Sequence, residues 1–459
     1  MACDKLIIVI GAGAGGMMAA GRAAELGSRV LLLEKMDRPG KKILITGNGR
    51  CNLTNTSTMD DFMAQFGTNG HFLLQSFNRF FRDELLELFA KHGVKFKTKL
   101  SGKIYPASDS SHDIVRALEF YMAGGGVEVR PAVSATGLIV EGGRVCGIRT
   151  SAGDLPASAV IIATGGASHP QTGSTGEGFK IAAAAGHTIA TLRPGLVPLV
   201  VKDAERYKKL EGAGLRGVRV TAFACPSTEI DIGLTPEGNV GRGFPGGSPE
   251  PPVIESRTGD AVVTHFGLSG PAILEISIDV VKALENGPVS VSIDLVPNKT
   301  MDELKSDLEH AAVKYRSCDY REILKGILPQ ALIKSLSAMT GATRHEVKDG
   351  VISPESEYFL QTVKSLRFDI ERPYSMATAV VTGGGVSLRE IDPETMASKI
   401  VEGLYFCGEV LDLEAGTGGY NLQAAFSTGF VAGESAATAN NRENSSSSVI
   451  DGSEGLGVS

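Results

Sequence analysis

The sequence predicts an α/β chain in which a parallel-sheet domain is interrupted by a β-rich insert and a helical insert. Three observations carry this prediction. The first 35 residues read as strand, glycine turn, helix, strand and acid. Beyond residue 400 a short strand ends in a glycine–acid pair, and a glycine cluster follows. Between about 195 and 370 the texture changes, first to short β-like runs and then to helical spacing.

Leu6–Ile10 is apolar throughout and mostly β-branched, as a strand buried on both faces must be. Gly11, Gly13 and Gly16 follow at GxGxxG spacing, with Ala14 and Gly15 between them. Met17 to Leu26 reads as a helix ended by Gly27, and Arg29–Leu33 as a strand ended by Glu34 and Lys35. Each glycine has its own physical reason. Gly11 permits the tight turn, Gly13 lets a pyrophosphate approach the backbone, and Gly16 lets helix and sheet close up. The first N–H groups of the helix face the phosphates. Glu34, about 20 residues after the turn, stands where an acid accepts hydrogen bonds from the ribose hydroxyls. This unit reads as a Rossmann-like dinucleotide site, the alternative being a loop that merely mimics one.

The far end of the chain chooses FAD. Gly403 to Phe406 is a short strand followed by Cys407, Gly408 and Glu409. A Gly–Asp pair at this place commonly holds the ribityl chain of FAD, and Glu409 takes the Asp position. Gly416 to Gln423 then leads into an alanine-rich helix. Gly418, Gly419, Tyr420, Asn421, Leu422 and Gln423 are the residues expected against the flavin ring, where helix N–H groups support negative charge. The alternative is a glycine-rich connector closing the sheet.

Ala159 to Ala163 is a further strand, broken by Thr164, Gly165 and Gly166, and Gly176 precedes a helix over Phe179 to Ala185. Val127 to Arg130 reads as a strand, with Ala132 and Val133 placed to contact adenine through their backbone. Gly137 to Thr150 reads as a hairpin turning at Gly142–Gly143.

Residues Pro39 to Asn55, with Thr46-Gly47-Asn48-Gly49-Arg50-Cys51-Asn52 at their centre, resemble the signature of the bacterial flavoproteins that include YhiN and the BaiN bile-acid reductase. Ser168 to Gly178, Thr264 to Pro271, Thr382 to Val386 and Gly408 to Gln423 continue the resemblance in order, up to about Asn440. It implies a glutathione-reductase-type FAD domain with inserted segments. Glu177 and His169 depart from the family's expected residues at their positions. The resemblance also suggests an activated alkene as acceptor.

The same Gly40 to Asn55 segment has a reading of its own. It leaves the carboxyl end of the sheet, where open α/β sheets bind ligands. Lys42, Thr46, Gly47, Arg50, Cys51 and Asn52 are therefore cofactor-binding candidates, and Arg50 suits a pyrophosphate or an anionic substrate. Cys51 is either a reactive thiol or a small residue packed near flavin. No partner cysteine lies two to five residues away, which argues against a disulfide reductase.

The expected division is 1–194 and 371–439 for the FAD domain, 195–297 for the β-rich insert, 298–370 for the helical insert and 440–459 for a disordered tail. Phe244 to Pro252 is expected to be an exposed loop. Within the inserts His265, at a strand end before Gly267, is the first candidate for proton transfer. Its alternative is a hydrogen-bonded histidine at a junction. Tyr420 and Arg50 complete the catalytic candidates. Gly383 to Gly385 follows a strand but lacks dinucleotide spacing, so NAD(P)H is expected to dock transiently without a second fold of its own.

Composition sets the outer limits. The chain of 459 residues has 57 glycines in clusters, which points to tight turns and close backbone approach. Its net charge of −7, without a long basic block, argues against nucleic acid and anionic membranes. The 6 cysteines show no CxxC pair, and no metal-ligand spacing is present. A cytoplasmic protein with non-covalent FAD and a small organic substrate is expected. The alternatives are an oxygen-using amine or amino-acid oxidase and a non-catalytic or RNA-associated flavoprotein.

Overall fold

Short apolar stretches with glycine at their carboxyl ends pair side by side in this chain. The computed structural model describes residues 5–230, 253–315, 328–340 and 354–450. They divide into two units, Met1–Arg193 with Val380–Ser459, and Pro194–Ala379.

In the first unit Leu6–Ile10 is central and fully apolar, and it pairs in parallel with Ala159–Ile162 on one side and Arg29–Leu33 on the other. Leu404–Phe406 and Glu128–Arg130 add the two outer strands, also in parallel. In chain order the sheet runs 5-4-1-2-3, the doubly wound arrangement. Its reversal point lies between Leu6–Ile10 and Ala159–Ile162, where such sheets open a crevice. The helices Ala14–Glu25 and Tyr420–Ile450 pack directly on each other. Glycine makes this possible: a Cβ at Gly429 would lie 2.4 Å from the Gly15 carbonyl oxygen, and one at Gly433 2.2 Å from that of Ala19. The hairpin Ala135–Glu141/Arg144–Thr150 turns at Gly142 and Gly143, both at positive φ.

Two expectations for this unit are corrected. Gly383 to Gly385 does not follow a strand but lies inside Val381–Val386. A Cβ there would strike Glu414, the Thr191 carbonyl oxygen or the Val410 carbonyl oxygen, so the glycines answer to packing. Asn440 does not begin a disordered tail, because the helix continues to Ile450; residues 451–459 lie outside the described residues.

The second unit contains a closed antiparallel barrel. Leu199–Val201, Gly267–Ser269, Val253–Thr264, Gly214–Phe223, Val289–Asp294 and Leu366–Pro373 pair in that cyclic order. Leu366–Pro373 closes the ring, so the first unit resumes at Val380 and not at 371. The barrel and the helical segment share one core: Val220 and Ile293 are clustered with Leu304, Leu332 and Phe359. The helix Pro271–Leu284, with Pro at its start, falls inside the stretch expected to be β-rich. The Phe244 to Pro252 loop lies outside the described residues.

Candidate functional site

Three strand ends meet at the reversal point, and each releases a glycine turn. Gly11 has φ +100°, and a Cβ on it would sit 2.6 Å from the Ala163 carbonyl oxygen. Gly16 is pressed against the same turn, since its Cβ would lie 1.8 Å from the Gly11 carbonyl oxygen. Gly13 differs from both: nothing lies within 4 Å of the place its Cβ would take. Gly13 is also the N-cap of Ala14–Glu25, with no side-chain cap and no acid in the first turn. The first N–H groups therefore border open space, the arrangement that receives a phosphate.

Glu34 is held ready beside this turn. One carboxylate oxygen accepts from the Ala12 N–H (2.9 Å) and the other from the Met36 N–H (2.8 Å). Ala132, at φ +58°, donates its N–H to the Met36 carbonyl, and Val133 donates to the Glu34 carbonyl. The segment expected to face adenine is thus laid along the acid-bearing turn. Gly173 crowds the same place, 3.6 Å from the Glu34 Oε1 when given a Cβ. Lys35 reaches Thr175 Oγ1 and Glu177 Oε2, both at 2.5 Å. Gly176 starts the helix Glu177–Ala184 from a left-handed conformation.

Glu409 is a node rather than an isolated carboxylate. Lys42 Nζ lies 2.6 Å from its Oε2 and 2.9 Å from Ser168 Oγ. The Thr382 N–H donates to Glu409 Oε1 at 2.9 Å, and Thr382 Oγ1 accepts from the Ala167 and Ser168 N–H groups. Ser168 and Thr382 were not among the expected site residues; they are far apart in sequence, and only the folded chain joins them. Thr164, Gly165 and Gly166 follow the Ala163 strand end, with the Gly166 N–H 3.4 Å from Glu409. His169, at φ +52°, stands near this network; burial first, and then Lys42, lowers its pKa.

The second chain end closes on the segment after Gly40. The Asn55 side chain donates to the Gly418 carbonyl (3.1 Å), and a Cβ on Gly419 would meet the Thr54 backbone at 2.7 Å. Asn421 ties back to Ala415 through both its amide atoms. The Gly408 N–H donates to Thr428 Oγ1 at 3.0 Å. Leu422 and Gln423 continue the first turn, with the Gln423 N–H on the Gly419 carbonyl. Thr46 caps its own turn by donating to the Ile43 carbonyl, and the Gly47 carbonyl accepts from Arg50 Nε.

The catalytic candidates have separate settings. Tyr420 is buried, edge-on to Phe62, with its hydroxyl 3.3 Å from Ser57 Oγ. The Arg50 guanidinium lies over the Tyr105 ring at 5.4 Å, outside the Lys42–Glu409 network. His265 belongs to the barrel unit, on the turn between Val253–Thr264 and Gly267–Ser269; it is exposed and edge-on to Phe266. Cys51 is fully buried, and burial pushes its thiol up to about 12, so it is not a thiolate near neutral pH.

These residues fit FAD. The space at Gly13, the uncapped helix start and the oriented Glu34 match an adenosine diphosphate. Asn52 Oδ1, Thr54 Oγ1, Thr164 Oγ1 and Gln423 Oε1 are buried without a hydrogen-bond partner, as groups left for a polar ligand are.

A family model described as HI0933-like protein Rossmann domain matches residues 5–435. A 3-dehydro-bile acid delta(4,6)-reductase of Clostridium scindens is 32% identical over 432 residues, covering 94% of this chain and 98% of that protein. A ribosomal RNA dihydrouridine synthase of Escherichia coli is 31% identical over 431 residues, covering 92% and 95%. A solved 3-ketosteroid delta1-dehydrogenase of Sterolibacterium denitrificans aligns with 95% of this chain and 100% of its own, at 16% identity and a TM-score of 0.48. The match runs from the first strand of the sheet to the helix that packs beside it, and the chain belongs to the HI0933-like family of FAD-dependent oxidoreductases.

Proposed function

We propose that the protein is an NAD(P)H-driven, FAD-dependent reductase that saturates an activated carbon–carbon double bond in an organic acceptor. The observation that carries this reading is the gathering of three glycine-bearing strand ends and the Gly416–Gln423 loop in one unit. The relatives' names support the choice of acceptor. A delta(4,6) double bond of a 3-dehydro bile acid and the double bond lost in forming dihydrouridine are both conjugated to a carbonyl. A cytoplasmic location is part of the same reading. Among the described residues no helix is long and apolar enough to cross a membrane.

Bound FAD supplies a hydride carrier at flavin N5. The chain supplies position and shielding. The Gly11–Gly16 turn and the start of Ala14–Glu25 hold the diphosphate, and Glu34 presents a fixed carboxylate to the ribose. Lys42 fixes Glu409 at the third strand end, and Gly418 and Gly419, packed on the Tyr420 ring and the Thr54 backbone, set the course of the loop that leads into the Tyr420 helix. Hydride addition to the β-carbon of the conjugated bond requires a proton at the neighbouring carbon, and Tyr420, in the unit that carries the FAD residues, is the candidate donor. The net reaction consumes NAD(P)H and a proton, and the acceptor gains two hydrogens.

Anaerobic mixing of the purified yellow protein with NADH and with NADPH tests this. Bleaching of the flavin band by one of them, followed by reoxidation with a conjugated enone, is expected. Absence of bleaching by both, with peroxide released on adding amines, would move the protein to the oxidase class.

A further inference from the structure

One side chain joins the segment after Gly40 to the C-terminal glycine loop. Asn55 stands on the short strand Thr54–Asn55, opposite Lys103, and is 4% exposed. Its carboxamide makes three bonds. Oδ1 accepts from the Ser57 N–H (3.1 Å) and from Ser57 Oγ (3.0 Å), and Nδ2 donates to the Gly418 carbonyl (3.1 Å). The backbone N–H of Ser57 can only donate, so it fixes which amide atom faces which way. Gly102 leaves room for the group: a Cβ there would lie 2.5 Å from Asn55 Oδ1.

The bond to Gly418 decides how the next helix begins. In a planar trans peptide the C=O and the following N–H point in opposite directions. With the Gly418 oxygen drawn to Asn55, the Gly419 N–H is turned away from it. Gly419 then opens the helix, because its carbonyl accepts the first helical bond, from the Gln423 N–H (3.0 Å). Its own N–H and those of Tyr420, Asn421 and Leu422 precede that bond and have no partner within the helix. They form the positive end of its dipole. Gly419, at φ +92°, brings no side-chain oxygen to cap them. Thr54 Oγ1 and Gln423 Oε1, on the two segments that Asn55 joins, are fully buried and unpartnered, which marks the junction as a ligand site.

We infer that Asn55 is a positioning residue: it holds the oxygen of the Gly418 peptide away from the flavin and the N–H end, with the helix start, toward it, and so raises the flavin's reduction potential. Uptake of two electrons and one proton leaves a flavin with negative charge on its pyrimidine ring. Unpaired N–H groups favour that charge, whereas a carbonyl oxygen opposes it. Without the Asn55 amide the Gly418 peptide is free to rotate, since glycines on both sides, at φ +144° and +92°, accept the change. The inference rests on the placement of the flavin ring at this loop, and not on the nicotinamide or the acceptor.

The test is the midpoint potential of the bound flavin, read by anaerobic dithionite titration of the FAD-loaded protein against a reference dye at several pH values. Asn55→Ser, a neutral change whose shorter side chain loses the bond to Gly418, should shift the oxidised-to-reduced ratio about 10-fold, a fall of about 30 mV for a two-electron couple. Asn55→Asp should fall at least as far at neutral pH. It should return to the wild-type value at low pH, where a neutral carboxylic acid donates to Gly418 as the amide does. A merely loosened fold would not give this recovery, and the isosteric Asn55→Asp keeps the test open if Asn55→Ser fails to fold. Wild-type potential in both variants, no recovery of Asn55→Asp at low pH, or folded variants that no longer hold FAD would overturn the inference. Wild-type protein that binds no flavin would overturn it together with the FAD assignment. Absence of bleaching by NADH and NADPH would remove the reductase reading and leave the potential shift standing.

Discussion

Gly13→Ala separates a glycine kept for the ligand from glycines kept for the fold. Gly13 adopts φ −86° and ψ −167°, backbone that any residue accepts, and its Cβ would meet nothing within 4 Å. The apo-protein should change little in stability, because the gain of about 0.4–1 kcal/mol from a less flexible unfolded chain is offset by a similar cost of placing Ala at the N-cap. The added methyl instead enters the space assigned to the diphosphate. Overpacking there should cost about 1–3 kcal/mol, weakening FAD binding about 5- to 150-fold. Stabilisation by ligand follows the affinity: with FAD at 1,000 times the wild-type Kd it is about 4.1 kcal/mol, and a 100-fold weaker variant keeps only about 1.4 kcal/mol. Gly16→Ala is the contrast, because its Cβ would lie 1.8 Å from the Gly11 carbonyl oxygen; it should destabilise the protein with or without FAD. Thermal melts of both variants with and without FAD, with a flavin fluorescence titration, read these effects. Wild-type FAD affinity in Gly13→Ala, or a markedly lower apo melting point, would refute the assignment of that space.

Three further outcomes follow from the same geometry. Cys51, buried and with its thiol raised to about 12, should resist iodoacetamide at pH 8 until the protein is unfolded, as read by peptide mass spectrometry, and Cys51→Ser should leave nicotinamide bleaching intact. His187 is buried between Glu390 and Ser398, and burial is the leading cause of its lowered pKa. The unfolded chain then binds the proton first, so this residue adds no penalty above about pH 6.5 and an increasing one as pH falls below it; His187→Gln should flatten the decline in melting temperature between pH 7 and 5. Gly433→Leu should cost more than about 3 kcal/mol in denaturant melts, because even its Cβ would lie 2.2 Å from the Ala19 carbonyl oxygen.

The parts of the fold that were legible are those written in local spacing. Leu6 to Glu34 carries its strand, turn, helix and acid within a few dozen residues, and the structure has all four elements there. The hairpin at Gly142–Gly143 is equally local. Closure of the barrel is not: Leu366–Pro373 pairs with Leu199–Val201 and Val289–Asp294 across a long helical stretch, and no periodicity reports such a partner. The helix Pro271–Leu284 had a visible start in Gly270-Pro271, but it lies between two short apolar β-like runs and was absorbed into the stretch expected to be β-rich. At the site, Gly11, Gly13 and Gly16 declared themselves by their offset together with the strand before them and the helix, strand and acid after them. Glu409 was found from its glycine, whereas its tie to Lys42, 367 residues away, required the fold.

The opening turn and the C-terminal glycine loop are assigned opposite ends of one FAD molecule. A crystal structure of the purified yellow protein tests this most directly. Adenosine density is expected beside Glu34 and Val133, diphosphate over Gly13, and the isoalloxazine ring against Gly418 and Gly419. Flavin density elsewhere in the molecule, or a folded protein that binds none, would contradict it.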